Sequence, residues 1–384
     1  MSFKKLVKDE ELLQYQKLAK YCYVDTIGWT DVTFPPKNDD VAYGILEDDE
    51  VVCGTIIKNY SSNVFGKNLK MAGISAVVSS PEHRNNGNVK KMFYEFLPIL
   101  YKEGYDISTL APFKYSFYER IGYGNIGGLN DFVFTPNDIK ITNGIDVKIK
   151  KYKNTKEQFN DIVEVYNSWI KGFDYGIFLK HKTNDELQQE LDFSKSNLFI
   201  FYNDNKPIAF VSFSLVPEEI FSSKLEIKRI AWTSSYGIKA IFNFLANHKD
   251  QCHKIRWMAP KKIQISYLMK EVRIPHSVYY QWMARPINLL KFLEAKFSDS
   301  KINFTFSVKD DFISENTGTY IVKDGSIDKK PYSGENIIPL DILSSLISGT
   351  VNLSGLLYFG VINGNFDKNI LSSENKGIYL SEFF

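Results

Sequence analysis

The chain is poor in the residues that build covalent or metal-centred chemistry. Its 384 residues include 3 cysteines and 5 histidines. Cys22, Cys53 and Cys252 lie far apart and form no disulfide framework, so a reducing compartment is expected. His248, Cys252 and His253 are the only cluster of soft ligands, and their spacing fits no zinc module; no metal is expected. A field of one sign is also missing. The 47 basic and 45 acidic residues leave a net charge of +2, which excludes the basic footprint of a nucleic-acid or acidic-membrane binder. No uninterrupted apolar run reaches bilayer length, and Met1–Lys8 has no apolar signal core, so a cytoplasmic location is expected. There is no P-loop and no Gly-x-Ser-x-Gly elbow.

What the chain has is length and aromatic residues. The 384 residues exceed what one core organises, and phenylalanine and tyrosine dominate an aromatic share of 15%. Large cores account for most of them. Three parts can be read. In 1–145, Leu12, Leu13, Tyr15, Leu18 and Ala19 have helical spacing, and Ala42–Leu46 and Val51–Ile57 flank a turn as in a hairpin. Met71–Val78 reads as a strand. Val89, Met92, Phe93, Phe96, Leu97 and Leu100 mark one face of a helix, in which Pro98 should kink or shorten the last turn and after which Gly104 can stop it. Ile107–Ala111 reads as a strand and Tyr115–Ile121 as a short helix closed by Gly122. The second part, 146–283, repeats this order faintly: a helix around Phe159–Tyr166, a hairpin over Leu198–Leu215, a strand at Leu225–Trp232 and a helix at Gly237–Ala246. The third, 284–384, offers a helix at Leu289–Leu293, strands at Ile302–Val308 and Gly318–Val322, two helices over 340–359, and an apolar ending.

One segment carries chemistry. After the strand ending at Val78 come Arg84-Asn85-Asn86-Gly87-Asn88-Val89, and then the amphipathic helix. Backbone N–H groups at a helix N-terminus suit a pyrophosphate, Gly87 permits close approach, and asparagines tolerate the dihedrals of such a nest. A plain helix start with no ligand is the alternative. Further on stands Phe117-Tyr118-Glu119-Arg120-Ile121-Gly122-Tyr123. A phenol can give a proton to a leaving thiolate, although Tyr118 can also be an aromatic packed on the sheet.

The loop resembles the R-x-x-G-x-A/G element of GCN5-related N-acetyltransferases, with Val89 departing at the last position. Phe117–Tyr123 is similar to their F-Y-x-x-x-G-F/Y motif. Further anchors at Pro112–Tyr118, Glu226–Thr233, Met283–Arg285 and Glu315–Gly318 extend the likeness to the Eis (enhanced intracellular survival) family over nearly the whole chain. The resemblance implies an α/β (α+β) fold. A catalytic acetyltransferase domain with a mixed central sheet flanked by helices (1–145) would precede a degenerate copy (146–283) and a sterol-carrier-protein-like α/β domain (284–384). The middle part agrees, since after its strand comes Trp232-Thr233-Ser234-Ser235-Tyr236-Gly237, with no arginine loop.

The resemblance also implies acetyl-CoA as co-substrate and direct transfer to an amine, with no metal. Val77, Val78 and Ser79 would pair with the pantetheine arm, and Arg84, Asn85, Asn86, Gly87, Asn88, Val89 and Lys90 would hold the pyrophosphate, with Phe113 beside the cofactor. Tyr118 would be the acid, and the C-terminal carboxylate of Phe384 the base. An α-carboxyl of pKa about 3.5 is ionised at neutral pH, although the apolar ending can also be a tail docked for stability alone. The acceptor would be a small-molecule amine, aminoglycoside-like or of polyamine or lysine type, and Asp25, Trp29, Phe34, Tyr115 and Glu382 are candidates to meet it. A homo-oligomer, by resemblance a hexamer, is implied. A Fem-type aminoacyltransferase and a non-catalytic acyl-CoA or lipid-binding protein are the rival classes.

Overall fold

A computed structural model describes residues 1–23, 36, 40–179, 196–219, 222–364, 366 and 377–380. The chain divides into two compact units. The first contains Met1–Gly127, Gln281–Asn375 and Leu380–Phe384, and the second Gly128–Tyr280 and Lys376–Tyr379.

In the first unit, β1 (Ser2–Lys5), β2 (Val41–Glu47), β3 (Glu50–Val64), β4 (Lys67–Ser79) and β5 (Ile107–Leu110) form a sheet in chain order. The hairpins close where the sequence accepts a left-handed backbone. Asp48 and Asp49 (φ 49° and 63°) turn β2 into β3, and Phe65 and Gly66 (φ 53° and 82°) turn β3 into β4. Helix α1 (Asp9–Tyr23) covers one face, with Tyr15 and Ala19 against Ala42, Leu46, Ile56, Ala76 and Val78. Helix α2 (Asn88–Lys102) covers the other. Its Met92, Phe93, Phe96, Leu97 and Leu100 are buried against Tyr43, Ile45, Ile57, Ala72 and Ile74. Each such side chain contributes about 1.5–3 kcal/mol. Pro98 does not shorten this helix, which runs on to Lys102. One backbone bond is forfeited, and the buried Phe96, Leu97 and Leu100 on either side of Pro98 hold the turn together. Gly104 (φ 77°) ends it, with Tyr105 N donating to Leu100 O at 3.0 Å. Helix α3 (Tyr115–Glu119) follows β5.

β6 (Gly124–Phe134) begins in the first unit and continues into the second, which also contains β7 (Lys148–Lys151), α4 (Lys156–Ile170), β8 (Gly176–Ile177), β9 (Asn197–Asn203), β10 (Lys206–Glu219), β11 (Ser222–Trp232), α5 (Ser235–Ala246) and β12 (Cys252–Pro260). Its sheet order is β6-β12-β11-β10-β9-β7, with α4 and α5 each packed on it.

The chain returns to the first unit along β13 (His276–Pro286). This strand runs through residue 283, and its Met283–Pro286 pair antiparallel with Leu110–Ile107 of β5. The boundary expected from the sequence between the second and third parts, 283/284, falls inside this strand. Beyond it lie α6 (Leu289–Phe297), a small sheet of β14 (Asn303–Val308), β15 (Gly318–Lys323) and β16 (Ser326–Lys330), then α7 (Leu340–Ile347) and α8 (Leu353–Tyr358). By contacts, residues 284–375 thus belong with 1–127. Among the described residues no helix is long and apolar enough to cross a membrane.

Candidate active site

The site begins where β4 leaves its neighbour. The parallel pairing of β4 with β5 covers Met71–Gly73 opposite Ile107–Thr109. From Ile74 to Ser79, β4 has β3 as its only strand partner among the described residues, and its other edge has parted from β5. The register with β3 slips between Gly54 and Ile56, and opposite that slip Ala76 has φ 53°. For a non-glycine residue that conformation costs about 1–2 kcal/mol, and side chains hold it in place. The Tyr15 hydroxyl donates to Ala76 O at 2.7 Å, Tyr23 to Val77 O at 3.1 Å, and Thr55 Oγ1 to Ser75 O at 3.0 Å. Gly54 lets the Tyr15 ring lie on β3, since a Cβ there would stand 2.7 Å from the ring. Val78 is buried, and Val77 and Ser79 are half-buried.

The loop after β4 is exposed from Arg84 to Gly87. Arg84 Nε donates to Ser79 O at 3.3 Å, and its terminal nitrogen stands 3.7 Å from Cys22 Sγ. Asn85 (φ 64°) and Gly87 (φ 78°) are both left-handed, so successive N–H groups turn toward one side. No side chain caps α2, whose first backbone acceptor, Gly87 O, takes Lys91 N at 2.9 Å. The N–H groups of Asn88, Val89 and Lys90 therefore lack a partner within the helix. Asn88 is 5% exposed, and its side-chain Nδ2 has no hydrogen-bond partner among the described residues. Lys90 is exposed. This end of a four-turn helix carries the positive end of the helix dipole.

Tyr118 is 2% exposed on α3. Phe93, Phe113, Phe117 and Tyr123 meet its ring edge-on, with centroids between 5.1 and 6.1 Å away. Burial, followed by the nearby Tyr23 and Tyr123 hydroxyls, pushes its phenol well above the usual tyrosine range. It therefore keeps its proton at neutral pH. Tyr123 is buried and shares a 2.7 Å hydrogen bond with Ser108. Phe113 is 71% exposed beside Tyr118, and Tyr115 is half-buried.

Val77–Ser79, Arg84–Lys90, Phe113 and Tyr118 therefore all fall in the first unit, on β4, the start of α2 and the approach to α3. Asp25, Trp29, Phe34, Glu382 and Phe384 lie outside the described residues. Leu380, buried and in the same unit as Tyr118, is the described residue nearest the C-terminus. Sequence reasoning missed the clamp on the bulge. Tyr15 reads as a core residue of α1, and nothing local announces that it or Tyr23 reaches a carbonyl about sixty residues away. Among the described residues no group of three metal-capable side chains exists; His253 instead meets Glu218 at 2.7 Å and Ser222 at 2.6 Å.

Residues 4–126 match the model of a family described as acetyltransferase (GNAT) domain. That domain marks an acyl-CoA N-acyltransferase. No curated protein matches the sequence. Solved structures share the fold over essentially the whole chain. A probable N-acyltransferase of Enterococcus faecalis superposes with TM-score 0.82 at 20% identity, over 98% of this chain and 97% of that one. A GCN5-related N-acetyltransferase of Anabaena variabilis gives 0.81 at 18%, over 100% of both chains. Eis1 of Mycobacterium abscessus gives 0.83 at 12%, also over 100% of both.

Proposed function

We propose that the protein is an acetyl-CoA-dependent N-acetyltransferase that passes the acetyl group directly to an amine, in the manner of the Eis family. The observation that carries this reading is the uncapped N-terminus of α2, with left-handed Asn85 and Gly87 before it, at the end of a β4 edge that β5 has left free. A pyrophosphate fits the first, and the amides of a pantetheine arm fit the second as a strand would. Arg84 and Lys90 add positive charge at the mouth. The thioester then lies toward Tyr118.

In this reading the acceptor nitrogen attacks the thioester carbonyl, a C–N bond forms and the C–S bond breaks. Tyr118 gives its proton to the departing thiolate. The proton lost by the amine goes to the Phe384 carboxylate, from which the phenol is restored through solvent. An amine of pKa about 10 is only about 0.1% neutral at pH 7, so a group that takes or holds that proton is needed. Asp25, Trp29, Phe34 and Glu382 would meet an acceptor of aminoglycoside, polyamine or lysine type. Residues 1–145 would be the catalytic part, 146–283 a degenerate copy, and 284–384 a sterol-carrier-like part that delivers the terminus. A hexamer in the cytoplasm completes the reading.

Calorimetric titration with acetyl-CoA, followed by mass spectrometry on a panel of aminoglycosides, polyamines and lysine peptides, tests it. Binding and a gain of one acetyl group are expected. Absence of acetyl-CoA binding would overturn the reading. Full activity after glycines are added beyond Phe384 would remove the carboxylate as base.

A further inference from the structure

The first unit contains a buried charge that the reaction does not touch. Arg285 of β13 is 1% exposed, and its partner Asp310 is 6% exposed. One terminal nitrogen of Arg285 donates to both Asp310 carboxylate oxygens at 2.7 Å. Asp310 also accepts from Phe312 N at 2.9 Å, Ile313 N at 3.1 Å and Asn316 Nδ2 at 2.9 Å. Asn316 is itself fixed, donating to Ile287 O at 3.0 Å and accepting from Leu289 N at 2.9 Å. The other terminal nitrogen of Arg285 reaches Ile121 O at 2.6 Å.

That carbonyl stands one turn beyond Tyr118. Ile121 N and Tyr123 N both donate to Tyr118 O, at 2.9 and 3.1 Å. Helix α3 spans only Tyr115–Glu119, and so short a helix cannot hold its own position. Gly122 (φ 86°) makes the approach possible, because a side chain there would run into the guanidinium. In register, Arg285 lies opposite Ser108, whose hydroxyl holds Tyr123. A buried ion pair is a poor source of stability, since a packed apolar pair commonly does as well. What it supplies is a fixed direction.

We propose that Arg285 is a positioning residue for Tyr118, and that the Asp310–Asn316 turn, distant in sequence from the acid, aims the phenol by way of the Ile121 carbonyl. The inference rests on the reading of Tyr118 as the acid. It gives residues 303–316 a part in catalysis separate from delivering the chain terminus.

The test is Arg285→Lys, made alone and together with Tyr118→Phe. Its readouts are kcat on the best acceptor of the amine panel, the calorimetric Kd for acetyl-CoA, and Tm. A lysine keeps the charge but cannot bridge Asp310 and Ile121 at once. Misplacing the acid is expected to lower kcat about tenfold, leave Kd within about threefold, and cost less than about twofold more in the Tyr118→Phe background. Equal losses in both backgrounds, or a Kd that rises as far as kcat falls, would overturn the proposal. If Arg285→Lys does not fold, Asp310→Asn, which keeps an acceptor for Phe312 and Ile313, is read by the same criteria. Undiminished kcat in Tyr118→Phe alone would refute the acid assignment itself, and with it the role given to Arg285.

Discussion

The two units contain the same strand–loop–helix step, finished differently. In the first, β4 parts from β5 after Gly73, an exposed loop with two left-handed residues follows, and α2 starts without a cap. In the second, β11 keeps its parallel pairing with β12 over Ser223–Ile227 and then leaves it as well. There the opening is filled. Trp232 lies 5.4 Å from Trp169 and 6.3 Å from Trp257, and Tyr379 packs on Trp169 at 5.2 Å. The helix that follows is sealed by its own sequence, since Ser234 Oγ accepts from Gly237 N at 3.3 Å. The diverging strands are thus a property of the shared fold. Among the described residues, what separates the two steps is the Trp232 packing and the side-chain cap of α5, neither of which has a counterpart at α2.

Tyr118→Phe should have the largest effect on the catalytic side of this comparison. Loss of a general acid is expected to lower kcat about a hundredfold while calorimetric binding of acetyl-CoA persists. Unchanged kcat would leave the aromatic cluster around Tyr118 as packing. Gly87→Asp would put a carboxylate at the start of α2, at a left-handed position where it is mildly strained. That charge should weaken acetyl-CoA binding about tenfold or more, with a fall in Tm of a few degrees. Wild-type affinity in that variant would move the pyrophosphate elsewhere.

The reciprocal change, Ser234→Ala, removes the cap of α5. It should cost about 1 kcal/mol in denaturant unfolding and leave kcat alone, and a fall in kcat would mean that the second unit is not a bystander. A further difference concerns alkaline stability. Burial raises Tyr43 and Cys53 of the first core to about 12. Each is bound to its proton more tightly in the folded state. Their contribution is therefore complete below the unfolded pKa values, near 9 to 10, and is lost as pH rises toward 12. Equilibrium unfolding followed from pH 8 to 12 should show stability falling across that window, with the Tyr43→Phe variant falling less steeply.

Much of the skeleton was legible because it is local. The apolar face of α2, the Asp48-Asp49 and Asp204-Asn205 turns, and the end of α2 at Gly104 all follow from residues a few positions apart. The third part was read well too, with strands at Asn303–Val308 and Gly318–Lys323 and helices at Leu340–Ile347 and Leu353–Tyr358. What escaped depends on distant partners. β6, rich in glycine, lacks the alternation of a strand, and β13 is a strand through pairing with elements distant in sequence, β5 among them. The bulge at Ala76 carries no glycine or proline to announce it, and the tyrosines that hold it lie on another element. The arginine loop and the Phe-Tyr motif were visible, whereas the pairing of Arg285 with Asp310 and Ile121 was not, because nothing local marks a bond across 164 residues.

That last separation also sets an order of events during synthesis. β5 lacks its β13 neighbour, and Ile121 its arginine, until the ribosome has passed residue 286 and the strand has emerged. The hairpins β2–β3–β4 can form early, since their contacts are short-range. Most of the second unit, Gly128–Tyr280, is made before the end of β13 and can form while the first still has an unpaired strand edge, whereas its Lys376–Tyr379 follow later. A nascent chain halted before residue 276 would therefore present β5 open to pairing with any strand it meets. The turn after Tyr118 would gain its Arg285 contact only once β13 has emerged.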